Sequence, residues 1–149
     1  MTVLLASVEN THIIAEMGVS TIRIRGRFLM LFTIYGLRAA GDSHIFLIGQ
    51  THQRLQRRKE KHIAFARSMF NRGFHSPKTM MIMQALQNGG VEIVKLDEFE
   101  AEPRYARNRD GSQGFACASQ EVSDRERFWQ VVYLLFQGGP MVIDGKLIV

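Results

Sequence analysis

Thr33-Ile34-Tyr35, eleven residues, then Leu47-Ile48-Gly49-Gln50-Thr51, and after these Leu55-Gln56-Arg57-Arg58 with His62 one turn further on: this order decides how the 149-residue chain is read. Phe28 to Leu37 is a run of apolar, β-forming residues, Ala39-Ala40-Gly41-Asp42-Ser43 supplies a turn, and Ile45 to Gly49 returns. A hairpin is therefore expected. Gln53 to Asn71 reads as a helix, because Leu55, His62, Ile63, Ala66, Met69 and Phe70 recur at spacings of three and four, with charges opposite. Gly73 stops it. Arg58 and His62, four residues apart, face the same side of that helix.

Working outward, Thr2 to Ser7 is a short apolar run suited to an edge strand, and Asn10 to Met17 is expected as a short helix. Thr21 to Arg25 alternates with period two, a strand stopped by Gly26. Ser76-Pro77 gives the cap and first position of a second helix, running to Gln87. Asn88-Gly89-Gly90 closes it, and Val91 to Leu96 alternates as a third strand. Residues 98–118 show no period and read as a long, arginine-rich loop, an insertion in the domain. Val122 to Gln137 is the last helix, and Pro140 to Val149 ends in a strand or hairpin around Asp144-Gly145.

The composition, with 46% apolar and 22% charged residues, is that of one globular domain. No apolar run approaches the ~20 residues that span a bilayer, so no membrane partner is expected. The start lacks the pattern of a signal peptide, and a single cysteine, Cys117, makes no internal disulfide or zinc site. A cytoplasmic location is the default. Nineteen basic residues against fourteen acidic give +5, a balance that suits a polyanion partner. Arg54, Arg57, Arg58, Lys59 and Lys61 crowd the first helix, while Arg104, Arg107 and Arg109 crowd the loop.

The two triplets, Thr33-Ile34-Tyr35 and Leu47-Ile48-Gly49, followed by Leu55-x-x-Arg58-x-x-x-His62, resemble the GIY-YIG nuclease family. The resemblance covers roughly residues 31–136, within a single domain whose core is about 28–137, and its specific part is the hairpin and first helix. It implies an α/β fold with a small three-stranded, mixed or antiparallel central sheet flanked by helices. The N-terminal strand or hairpin would be an addition. It further implies a DNA endonuclease, phage-encoded or restriction-type, in the cytoplasm of a bacterium or phage-infected cell. Such an enzyme uses one Mg²⁺ or Mn²⁺ ion. Tyr35 would orient or activate the attacking water, Arg58 would clamp the scissile phosphate and His62 would assist beside it. Glu126, in Arg125-Glu126-Arg127-Phe128-Trp129, matches the glutamate that holds the metal, with Glu121 in reserve. His75 matches a histidine of some members. Arg54, Arg57, Lys59, Lys61, His75, Arg104, Arg107 and Arg109 would contact DNA, with specificity from loops or from a homodimer.

The chain departs from the family at three places. The first triplet is Thr33-Ile34-Tyr35, a mild change, since small residues replace its glycine in relatives. Leu47 stands where the second triplet has tyrosine, and a leucine neither shares a proton nor binds a water. No asparagine follows Glu126, where many members carry one; Gln137, eleven residues further on and about three turns along the same helix, is the stand-in considered for it. Other readings of the same residues stay open. Tyr35 suits an apolar core, Arg58 suits a solvated basic helix, and Ser123-x-x-Glu126 suits a capping box unless Ser119 caps the helix earlier. A weakened domain that binds nucleic acid without cutting it, or an interaction protein mimicking the motif by chance, are the competing functions.

Overall fold

The structure is a computed structural model that describes residues 13–16, 19–24 and 27–149. Strands β1 (Ile13–Glu16) and β2 (Val19–Ile24) form a hairpin, and β2 pairs antiparallel with the start of β3 (Arg27–Ala39). The helix expected over Asn10 to Met17 is thus a strand from Ile13 to Glu16, because pairing with β2 outweighs a weak local preference. The expected strand over Thr2 to Ser7 lies outside the described residues.

β3 is the spine. Along one edge it pairs with β2 over Arg27–Met30 and with β4 (Ile45–Thr51) over Thr33–Arg38. After α1 (Leu55–Asn71) and α2 (Pro77–Gln87) the chain returns along the other edge as β5 (Val91–Ala101), antiparallel from Ala39 to Met30. These three antiparallel strands, β4-β3-β5, are the centre of a larger sheet than the three-stranded one expected. It has seven strands: β1 and β2 extend it beside the start of β3, and β8 (Met141–Ile143) and β9 (Lys146–Ile148) extend it beyond β4. β8 joins β4 in parallel at Leu47↔Val142, and the sheet is therefore mixed. Asp144 and Gly145, both at positive φ, make the β8–β9 turn.

The region expected as a loop, 98–118, is mostly ordered strand. β5 continues to Ala101, and a separate hairpin follows, β6 (Arg104–Arg107) with β7 (Gln113–Cys117). Its turn is closed by Asn108 and Asp110: the Ser112 amide donates to Asp110 Oδ1 (2.9 Å), and the Asn108 amide donates to the Ser112 carbonyl (2.9 Å).

Side-chain alternation along β3 sorts the core into two layers. Tyr35 and Leu37 face α1 and α2 with Leu47, Ala66, Ile82, Ala85 and Val91. Met30, Phe32 and Ile34 face α3 (Gln120–Gln137) with Val122, Trp129 and Tyr133. Each fully buried Phe32, Ile34 or Leu37 contributes roughly 1.5–3 kcal/mol relative to exposure. No helix among the described residues is long and apolar enough to cross a membrane.

Candidate active site

Tyr35 is almost wholly buried, 1% exposed, and its ring points from β3 toward α1. The hydroxyl meets two residues of that helix. Arg58 Nε donates to Tyr35 Oη at 3.0 Å, and Tyr35 Oη lies 2.6 Å from His62 Nε2. The strand tyrosine, helix arginine and helix histidine singled out in the sequence therefore converge, held by the one-turn spacing of Arg58 and His62. Room for the hydroxyl comes from Gly49, the residue opposite Tyr35 in the β3–β4 ladder. A Cβ on Gly49 would sit 2.5 Å from Tyr35 Oη.

Electrostatics keep this trio neutral except for the guanidinium. Burial pushes the His62 imidazole down to about 3, helped by the Lys78 and Arg58 cations. A neutral Nε2 can accept the phenol proton while the phenol oxygen accepts from Arg58, which satisfies all three groups. Burial raises the Tyr35 phenol above its ordinary value; Arg58 opposes this and Glu126 adds to it.

Glu126 sits mid-helix on α3, half-buried. Helix α3 begins at Gln120 with Ser119 in the cap position, so the capping-box reading of Ser123 and Glu126 falls away. Burial raises the Glu126 carboxyl and Asp144 adds to the rise, against Arg127 and Arg58. Its hydrogen bond is a long one from Gln130 Nε2, 3.4 Å. Among the described residues no three His, Cys, Asp or Glu side chains converge as a metal-ligand group. A metal here would have one protein carboxylate. A hydrated Mg²⁺ that keeps most of its waters fits that donor set, and a half-buried carboxylate favours a cation beside it. Gln137 takes a different post from the one considered for it: its amide pairs with the Ile45 backbone N–H and C=O, bracing β4.

Arg58 opens onto a cleft of ≈ 410 Å³ between the end of β4 and the β6–β7 hairpin. Gln50, His52, Gln53 and Lys61 line one side and Phe115 to Ala118 the other. A second cleft, ≈ 490 Å³, lies on the α2 side of Arg58, with Lys61, His62, Phe65 and Lys78. None of the ion pairs among the described residues, Arg38–Glu92, Lys95–Glu98, Arg125–Asp97 and Arg127–Asp144, engages Arg58, Lys61 or Lys78. Three cations thus face two clefts without a carboxylate neighbour in salt-bridge range.

The other basic residues named from the sequence are distributed around this centre. Arg54, in the cap position of α1, and Arg57, in its first turn, are exposed, and Lys59 is half-buried. Arg104, Arg107 and Arg109 are exposed on the β6–β7 hairpin, whose cleft wall is built from Phe115 to Ala118 rather than from arginines. His75 is exposed and its ring rests against Phe70, 5.0 Å between centroids. Leu47 is buried in the core, 8% exposed. Lys78, Phe65 and Phe115 were not anticipated; Phe65 stands seven residues after Arg58, on the same helix face, a spacing that could have found it.

Comparison of the chain with models of known families, with curated proteins and with solved structures finds no match.

Proposed function

We propose that this protein is a GIY-YIG-type endonuclease that hydrolyses DNA phosphodiester bonds with one divalent metal ion. The observation that carries this reading is the Arg58–Tyr35–His62 chain of hydrogen bonds, 3.0 and 2.6 Å, beside cations that lack carboxylate partners. Its residues are those the family resemblance names, contributed by a strand and a helix far apart in sequence.

Arg58 binds the scissile phosphate, since a guanidinium stays charged and offers a planar fork of donors. Moving onto the phosphate releases its Nε from Tyr35 and frees the phenol oxygen for a water. The water gives its proton to Tyr35 Oη, Tyr35 gives its own to His62 Nε2, and the hydroxide oxygen bonds to phosphorus as the bridging P–O bond breaks, its oxygen leaving with the bonding pair and taking a proton from solvent water. Burial is the main reason the His62 imidazole is acidic, with Lys78 and Arg58 adding to it; a bound phosphate offsets the part due to the two cations. Glu126 would hold Mg²⁺ or Mn²⁺. When bound, the metal supplies Lewis-acid stabilisation of charge developing on the phosphate oxygens.

A second reading, a domain that binds DNA without cutting it, is favoured by one observation. Leu47 buries its side chain in the core at the position of the second triplet's tyrosine. Plasmid cleavage with Mg²⁺ or Mn²⁺, comparing wild type with Arg58→Ala and Glu126→Ala, separates the two. Metal-dependent cutting lost in both variants supports the nuclease. No cutting, with DNA still retarded on a gel, supports the binding domain. Neither cutting nor retardation sinks both.

A further inference from the structure

Arg58 and Lys61 are the two residues common to both cleft linings, so they form a ridge with a hollow on either side. Each hollow carries an exposed aromatic ring. On the hairpin side it is Phe115, 77% exposed; on the α2 side it is Phe65, 55% exposed. Arg58, Lys61 and Phe65, at spacings of three and seven, lie along one face of α1. Lys78, at the start of α2, stands with its Nζ over the Phe65 ring, 5.7 Å from the centroid. Cations therefore occupy the middle of a track whose two ends are aromatic.

We propose that the substrate crosses this ridge as an unpaired DNA strand, its phosphates on Arg58, Lys61 and Lys78 and its bases stacked on Phe115 and Phe65. This rests on the nuclease reading and names its substrate class: single-stranded DNA, or the unpaired segment of a branched or distorted duplex. The chemistry favours this over an intact helix. Bases in a duplex already have both faces covered by their neighbours, so an exposed ring offers them nothing. An unpaired base has a free face, and stacking on an aromatic side chain is independent of sequence. Solvated phenyl rings beside phosphate-binding cations are the arrangement by which such strands are held. Both hollows are of the size that takes one small-molecule ligand, which suits single nucleotides.

The test is fluorescence anisotropy in EDTA, so that no strand is cut. One labelled DNA oligonucleotide is titrated either alone or annealed to its complement. Wild type is compared with Phe115→Ala, Phe65→Ala and Lys78→Ala, each at several salt concentrations. The single strand is expected to bind more tightly than the duplex. Each phenylalanine variant should weaken single-strand binding by about 5- to 100-fold and leave the salt dependence unchanged. Lys78→Ala should reduce the slope of log K against log salt by about 0.7. Because both rings are exposed, thermal melting of the phenylalanine variants should match wild type. Equal or tighter duplex binding, with the phenylalanine variants indistinguishable from wild type, overturns the strand path. Plasmid cutting in that case leaves the nuclease reading standing. Binding to neither form overturns both.

Discussion

Gly49 and Tyr35 face each other across the β3–β4 ladder, and the space a side chain would fill at Gly49 is taken by the Tyr35 hydroxyl. The glycine of the second triplet is thus required by the tyrosine of the first. The Gly49 backbone is not in the left-handed region, so a substitution there acts through sterics. In Gly49→Ala, the methyl group must push Tyr35 Oη off Arg58 and His62, a ring locked by its neighbours having little freedom to yield. The expected cost is about 1–3 kcal/mol of stability, the range for overpacking a filled site. Loss of plasmid cleavage should accompany it. Urea unfolding and a cleavage assay check the two effects; a variant as stable and active as wild type would show that Tyr35 is not held this way.

Removing the hydroxyl and removing the fork that donates to it should have separable consequences. Tyr35→Phe leaves His62 Nε2 without its partner in a buried site, at an expected cost of about 1–3 kcal/mol. Arg58→Lys keeps the charge but loses the Nε donor, and Arg and Lys are not interchangeable at such a site. Its DNA binding should stay close to that of wild type while cleavage falls on the order of 100-fold or more, as when one transition-state donor is lost. Gel retardation and cleavage rates measured side by side decide this. Parallel loss of binding and cutting in Arg58→Lys would contradict a role in the chemical step.

The hydrogen-bonded trio of Tyr35, Arg58 and His62 was legible in the sequence because its determinants are local. An apolar run around Tyr35, a Gly-Asp turn and a helix with period-four apolar residues suffice to bring Arg58 and His62 under one strand. What was not legible lies where a local pattern is interrupted. β5 carries a bulge between its pairings at Lys95 and Asp97. Before it, Val91 and Ile93 face α1 and α2 while Val94 and Leu96 face α3; after it, Phe99 and Ala101 take over the α3 face. The switch breaks the period-two signal, and the acidic residues 97–102 then read as loop. The β6–β7 hairpin was hidden for a related reason: most of its side chains are exposed, so no apolar period marks it. Lys78 was missed because its relation to Arg58 runs through the packing of α2 on α1, which no sequence spacing states.

The buried His62 gives the fold a pH dependence with a definite sign. Its folded value, about 3, is below the ordinary 6.5, so the unfolded chain binds the proton first. The stability it contributes is present above 6.5 and is lost as pH falls from there toward 3, by up to about 1.4 kcal/mol per unit. His52, lowered by burial and by Lys61 and Arg58, acts in the same direction. Urea midpoints from pH 7.5 down to 4.5 should fall steeply for wild type. His62→Gln, which cannot titrate, should flatten the curve. An unchanged slope in that variant would place the acid sensitivity elsewhere.

Glu126 should trade stability for function. Burial and Asp144 raise its carboxyl, so the charged form is disfavoured in the fold, and the stability linked to it is present below 4.5 and lost as pH rises through the folded value. Glu126→Gln removes the half-buried charge while keeping the shape and a group for Gln130 to meet. The variant should melt higher than wild type without metal, and the gain should be larger at pH 8 than at pH 4.5. Mg²⁺ should raise the melting temperature of wild type and leave that of the variant unmoved, since a ligand that binds only the fold stabilises it by mass action. Cleavage should fall by about 1,000-fold or more, because the electrostatic stabilisation a metal provides is worth several kcal/mol. Calorimetry with and without Mg²⁺ distinguishes this from a purely structural glutamate. A structural role predicts a lower melting temperature in Glu126→Gln and no metal response in either protein; the metal role predicts the reverse on both counts.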